Sequence, residues 1–191
     1  LRKGGKSITT STAGSSRIMN VQENHEIIIE KCPFFEEINE KLLEEVDNIE
    51  YPLTNVTNVK AKCSDWYTKS ENIKKIHSWI LYTIKMKYSQ ISQHLTFPSM
   101  GKLETTNTWF SRYGQGDYTI PHDHIPSTFS WSLFVKCPKG SSPLVFPTSG
   151  KRIKAEEGKV IIFPGHLQHE VPKNRCDDRI VLSGNIIPIF D

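Results

Sequence analysis

From Thr105 onward the chain is cut into short segments of β-branched and aromatic residues, each closed by Gly or Pro. Segments this short and this heavily punctuated predict strands rather than helices. The predicted strands are Thr106–Tyr113, Tyr118–His122, Thr128–Lys136, Leu144–Phe146, Lys159–Phe163, Gln168–Val171 and Arg179–Ile189. The run Lys151-Arg152-Ile153-Lys154 reads as a solvated hairpin edge, where basic side chains discourage further strand pairing.

The preceding third of the chain has the other periodicity. Phe35, Ile38, Leu42, Val46 and Ile49 recur at helical spacing between glutamates, which predicts an amphipathic helix over Phe34–Ile49. A second helix is predicted over Glu71–Tyr88 from Ile73, Ile76, Ile80 and Ile84, joined by Trp79, with Ser70 as its N-cap. Tyr51–Lys69 reads as irregular, with at most one short strand. Two helices followed by about seven strands predict a mainly β fold with supporting α-structure, a sandwich or jelly roll with the helices packed on one face. The expected organisation is a flexible arm over residues 1–20, rich in Ser, Thr, Gly and Lys, and a single domain over 21–191. Within that domain, 21–98 is the helical support and 99–191 the jelly-roll core.

A chain of 191 residues, 37% of them hydrophobic and 24% charged, buries a real core. Its net charge of +3 is too small to argue for nucleic acid, and no basic-aromatic stripe supports such binding. No apolar run approaches a membrane span, and no hydrophobic signal segment opens the chain. Four cysteines in neither C-x-x-C nor zinc spacing read as reduced thiols. The expected location is the cytoplasm.

Chemistry concentrates in three histidines. His122 and His124 are two residues apart, so on a strand both rings share a face. His169 follows the predicted strand Val160–Phe163 after a short turn, Pro164-Gly165-His166-Leu167-Gln168. Two ligands from one segment and a third from another can build a facial metal site with open positions; imidazole suits iron, zinc or copper. His166 falls in the turn and reads as surface or substrate-facing. Arg179 opens an apolar strand on which Val181, Ser183 and Asn185 share its face, and no acidic residue joins them. An inward arginine needs a partner, and a carboxylate is the natural one. That partner is either a ligand or, in a plain surface reading, Asp177 or Asp178. Asn107, Trp109, Ser111 and Tyr113 alternate on another strand, so Tyr113 either reaches the same cavity with its hydroxyl or packs in the core. For Trp131 and Phe134, core packing is the expected role.

Taken in order, Tyr113 with Gly114 and Gly116, the His122/His124 pair, Gly158 before Val160-Ile161-Ile162-Phe163-Pro164, His169, and Arg179 with Asn185 make the chain resemble the iron(II)- and 2-oxoglutarate-dependent oxygenases. The similarity is greatest to the small prolyl-hydroxylase-like branch found in bacteria and phages, and it covers roughly Trp109–Asn185. The resemblance implies a double-stranded β-helix with a metal at its open end. It implies iron(II) held by His122 and His169, and 2-oxoglutarate held by Arg179 with help from Tyr113, Ser183 and Asn185. Oxygen would be the second co-substrate, and a protein side chain such as proline is the substrate it favours. The family's usual His-x-Asp is His122-Asp123-His124 here. Either His124 is the third ligand, as strand parity favours, or a bulge turns Asp123 inward. Two other classes stand beside this one: a three-His cupin dioxygenase that does not use 2-oxoglutarate, and a jelly-roll binding module without catalysis.

Overall fold

The computed structural model describes residues 25–55, 57–91 and 102–189. In chain order the elements are β1 (Ile28–Lys31), α1 (Phe35–Asn48), β2 (Val59–Lys60), β3 (Lys62–Cys63), α2 (Glu71–Ile91), β4 (Lys102–Tyr113), β5 (Tyr118–His122), β6 (Phe129–Lys136), β7 (Leu144–Phe146), β8 (Lys151–Ile153), β9 (Lys159–Pro164), β10 (His169–Val171) and β11 (Arg179–Ile189). The expected arm over residues 1–20 lies outside the described residues.

The strands form two antiparallel sheets. The larger has the order β1-β9-β6-β11-β4-β3 and the smaller β2-β5-β10-β7-β8. Strand parity divides the large sheet between two cores. On one face Phe129, Trp131, Leu133, Val160, Ile162, Ile180, Leu182 and Ile186 meet the helices. Phe35, Ile38, Leu42 and Val46 of α1, and Ile73, Ile76, Ile80 and Ile84 of α2, complete this layer, each at most 4% exposed. On the other face Tyr113, Phe134, Ile161, Phe163 and Val181 turn toward the small sheet and its Val59, Leu144, Phe146 and Val171. This is a jelly-roll sandwich with helices covering one face. It explains why β9 reads as an almost continuous apolar run and why even Ser130 and Ser132 of β6 are buried: both faces of these strands are covered.

The Ser70 hydroxyl accepts the Ile73 amide, so it caps α2 as expected. The same hydroxyl donates to Glu45 of α1, whose carboxylate also accepts from Asn72, and the two helices are thereby tied at one end. Lys151-Arg152-Ile153 forms β8, the outer strand of the small sheet, with Lys151 and Arg152 exposed.

Three departures have physical causes. The sequence reading assigned no element to Ile28–Lys31, which becomes a strand only because β9 offers it an edge, Ile28 pairing with Ile162. Tyr51–Lys69 contributes two strands instead of one, each of two residues and each defined by its partner, β5 or β4. Strand β4 begins at Lys102, four residues early, because β11 is long enough to pair its polar start (Lys102 with Ile189).

Candidate metal centre

Strand β5 ends at His122 and β10 begins at His169, and these two residues face each other in the ladder. A loop carries His124 back over the pair. Its amide donates to the carbonyl of Gly165 in the β9–β10 turn (2.7 Å), and its own carbonyl accepts from the Ser127 amide (2.8 Å). Potential ligand atoms of His122, His124 and His169 all lie within 4.8 Å of one another. Ring centroids are 4.3 Å apart for His122–His169, 4.9 Å for His124–His169 and 5.0 Å for His122–His124.

Two of the rings are oriented by backbone. His122 Nδ1 bonds to the carbonyl of Ile120 (2.9 Å) and His169 Nδ1 to that of Leu167 (3.0 Å). A carbonyl only accepts, so each Nδ1 carries the proton and each Nε2 keeps its lone pair for a metal. Burial pushes all three imidazoles toward the neutral form that ligation requires. It takes His124 down to about 3 and His169 to about 4, with the neighbouring imidazoles adding to the effect, and His122 is lowered in the same direction. Asp123 is not in the trio. Its Oδ1 accepts the Ile125 amide (3.1 Å) in a local turn, and its charge acts on His122 and His169 from outside the ring cluster.

Arg179 lies in the same cavity, whose lining joins His122, His124 and His169 to Tyr113, Phe134, Ser132, Val181 and Ser183. The arginine is only 1% exposed and pairs in register with Tyr113. Its guanidinium carbon stands 4.6 Å from the Tyr113 ring centre and 5.4 Å from that of Phe134. Nε donates to the Ser142 carbonyl (3.1 Å), while Nη1 is buried without a partner among the described residues. The nearby acids are engaged elsewhere. Asp178 takes Arg112 Nε (2.5 Å) and Lys136, and Asp177 accepts the Gln115 amide. The plain surface reading of Arg179 is thereby excluded. A buried, orphaned guanidinium donor facing a cavity without carboxylates is the donor set that an anionic ligand completes. Three imidazoles and this donor therefore fit a divalent metal and a carboxylate ligand together.

The other residues singled out in the sequence separate into two groups. Tyr113, 4% exposed, lines the cavity as a ring under Arg179, and its hydroxyl is taken by Thr119 Oγ1 (2.8 Å). Ser183 lines it too and bonds Ser132 (3.0 Å). Asn185 stands apart: its Oδ1 accepts from Ser130 (2.8 Å), and the residue lines a neighbouring groove with Trp66, Asn107, Trp109, His122, Asp123 and His124. Trp109 serves both spaces and packs edge-on against Trp66. Trp131 is core, edge-on to His77, whereas Phe134 is both core and cavity wall. His166 is exposed, its ring 4.7 Å from that of His25. The sequence reading missed Ser132, Thr119 and Ser142. Parity with Phe134 marks Ser132, but no local signal marks Ser142, whose carbonyl matters rather than its side chain.

No family model and no curated protein matches this sequence. Solved structures do. The viral collagen prolyl hydroxylase of Paramecium bursaria Chlorella virus-1, in complex with 2-oxoglutarate, superposes with a TM-score of 0.65 at 16% identity, over 85% of this chain and 96% of that one. A prolyl-4-hydroxylase of Pseudomonas putida gives 0.65 at 14% identity, over 86% and 94%. HygX of Streptomyces hygroscopicus, with nickel and 2-oxoglutarate bound, gives 0.56 at 9% identity, over 86% and 83%. The chain therefore shares the double-stranded β-helix fold of the 2-oxoglutarate- and iron(II)-dependent oxygenases, prolyl hydroxylases among them.

Proposed function

We propose that this protein is an iron(II)- and 2-oxoglutarate-dependent dioxygenase that hydroxylates an organic substrate. The observation that carries the reading is the pairing, in one cavity, of three neutral imidazoles with a buried guanidinium that lacks a partner. His122, His124 and His169 would hold the metal, and Arg179 the distal carboxylate of 2-oxoglutarate, with Ser183 and the Tyr113 ring shaping the space between. When bound, iron(II) with 2-oxoglutarate supplies the oxidising chemistry by reducing oxygen as the 2-oxo acid loses carbon dioxide.

The chain's own part is position and exclusion of water. Arg179 enters from the sandwich interior with its Nε fixed by Ser142, so its remaining donors are oriented before any ligand arrives. Apolar walls from Phe134 and Val181 keep the ion pair to a co-substrate carboxylate unscreened. The three imidazoles bring no negative charge, so neutralisation falls to the co-substrate and to Asp123 nearby. The groove holding Trp66, Trp109, Asn107 and Asn185 opens on His122 and His124 and is the place for the organic substrate. Similar folds belong to enzymes named for prolyl hydroxylation and to one captured with hygromycin B, so a protein side chain or a small molecule suits the groove.

The orphaned Nη1 favours this reading over a three-His dioxygenase that does without 2-oxoglutarate, which has no use for a buried arginine. It also favours it over a binding module, since a buried unpaired donor is a cost to stability with no return. The location we infer is the cytoplasm, in keeping with four free thiols; no helix among the described residues is long and apolar enough to cross a membrane. The test is thermal unfolding with manganese(II), with and without 2-oxoglutarate. A ligand at a hundredfold over its Kd adds about 2.7 kcal/mol, which in a chain of this size raises Tm by roughly 5–10 °C. A rise with metal and a further rise with 2-oxoglutarate is expected. No response to either supports the binding module, and a response to metal alone the other dioxygenase.

A further inference from the structure

Asn174 belongs to no strand and to no part of the metal centre, yet it is 2% exposed and all of its polar groups are used. Its Oδ1 accepts the Ser142 amide (3.0 Å). Its Nδ2 donates to the Cys176 carbonyl (2.8 Å) and lies 3.4 Å from the Gly114 carbonyl and 3.5 Å from that of Tyr113. Its backbone accepts from the Gly116 amide (2.8 Å) and donates to the Asp117 carbonyl (2.7 Å). One side chain thus joins the end of β4, the loop between β6 and β7, and the approach to β11.

Those are the segments that hold Arg179. The guanidinium donates through Nε to the Ser142 carbonyl and rests on the Tyr113 ring. Asn174 grips the amide of the first residue and reaches the carbonyl of the second. The Ser142 hydroxyl adds a bond to the carbonyl of Lys173, beside Asn174. On the far side, Asp178 closes the loop by pairing with Arg112 and Lys136 in a left-handed backbone conformation (φ 64°) that aspartate tolerates better than most side chains.

We propose that Asn174 is a positioning residue for co-substrate binding, which orients the Arg179 guanidinium through Ser142 and Tyr113. This rests on the assignment of Arg179 to the 2-oxoglutarate carboxylate. A buried amide that satisfies three segments at once is worth most where a small displacement is costly, and a guanidinium aimed at a carboxylate is such a place. Removing the amide leaves Ser142 and Cys176 groups unpaired and lets the Arg179 anchor drift, without touching the three histidines.

The experiment measures manganese(II) affinity and, on the manganese-loaded full chain, 2-oxoglutarate affinity by calorimetry. The variants are Asn174→Ala, Arg179→Ala, the double variant, and Ile84→Ala as a destabilised control in the helix-facing core. Asn174→Ala is expected to weaken 2-oxoglutarate roughly tenfold with manganese affinity within twofold, and Ile84→Ala to change neither. In the Arg179→Ala background the Asn174 effect is expected to vanish, because the two act as one unit. Ser142→Ala, a milder change to the same link, is expected to weaken 2-oxoglutarate two- to fivefold and serves if Asn174→Ala does not fold. The inference is overturned if the folded variants bind 2-oxoglutarate like the wild type, if both affinities fall together, or if the Asn174 effect persists without Arg179. Failure of the wild type to bind 2-oxoglutarate would instead overturn the assignment beneath it.

Discussion

His122 and His169 are direct cross-strand partners in the β5–β10 ladder, with ring centroids 4.3 Å apart and each Nδ1 bonded to the carbonyl two residues before it. The sheet register itself sets the spacing between these two ligands, and the backbone sets their tautomer. His169→Ala is expected to lower manganese or iron affinity by more than roughly 100-fold, with the strands still paired. Retained metal by elemental analysis would refute the assignment.

The third ligand is decided by comparing neighbours. His124→Ala is expected to weaken the metal at least tenfold, whereas Asp123→Asn changes its affinity only a few-fold, since Asp123 acts as a turn acceptor and a remote charge. The reverse order in calorimetric titration would make Asp123 the ligand.

Arg179 separates co-substrate from metal. Arg179→Ala is expected to weaken 2-oxoglutarate roughly 100-fold, and Arg179→Lys roughly tenfold, because lysine keeps the charge and loses the planar fork. Metal affinity stays within twofold in both, as read by competition with a chelating dye.

Gly165 is held to having no side chain: a Cβ there would stand 2.1 Å from the Ser127 carbonyl oxygen. Its own carbonyl positions the His124 amide. Gly165→Ala is expected to cost about 1–3 kcal/mol in denaturant unfolding and to reduce metal affinity roughly tenfold through His124. Unchanged metal affinity in the destabilised variant would disconnect the turn from the site.

His77 predicts an acid limit to stability. It bridges α2 to β4 through Thr105 (3.0 Å) and Thr108 (2.9 Å), and burial lowers it from 6.5 to about 4. The unfolded chain therefore binds the proton more readily. The stabilising contribution is complete above pH 6.5 and is lost as pH falls toward 4. His77→Gln is expected to remove about one proton of uptake on unfolding across that window. An unchanged pH slope relative to the wild type would show that the ring is accessible to protonation in the fold.

Local patterning made the helices and most strands legible. Ile73, Ile76, Ile80 and Ile84 announce a buried helix face without help from any neighbour, because period and hydrophobicity are properties of the segment alone. The strands at Ile28, Val59 and Lys62 were not legible, since each is too short to hold its conformation and exists only on another strand's edge. Asn185 shows the same limit. Alternation places it on the Arg179 face, and there it is, bonded to Ser130 as Ser183 is to Ser132, but it stands farther along the strand and lines the adjoining groove instead of the Arg179 cavity.

The sequence by itself determined which residue types were available for chemistry: three histidines at family-like spacing and one arginine opening an apolar strand without an acid on its face. Only the tertiary structure decided that the rings converge, that Asp123 caps a turn while His124 completes the cluster, and that Asp177 and Asp178 are engaged elsewhere. Periodicity is local and short-ranged, so it survives in one dimension. Convergence depends on strand pairing across dozens of residues, and on backbone carbonyls such as those of Ser142 and Gly165, which every residue carries and no sequence distinguishes.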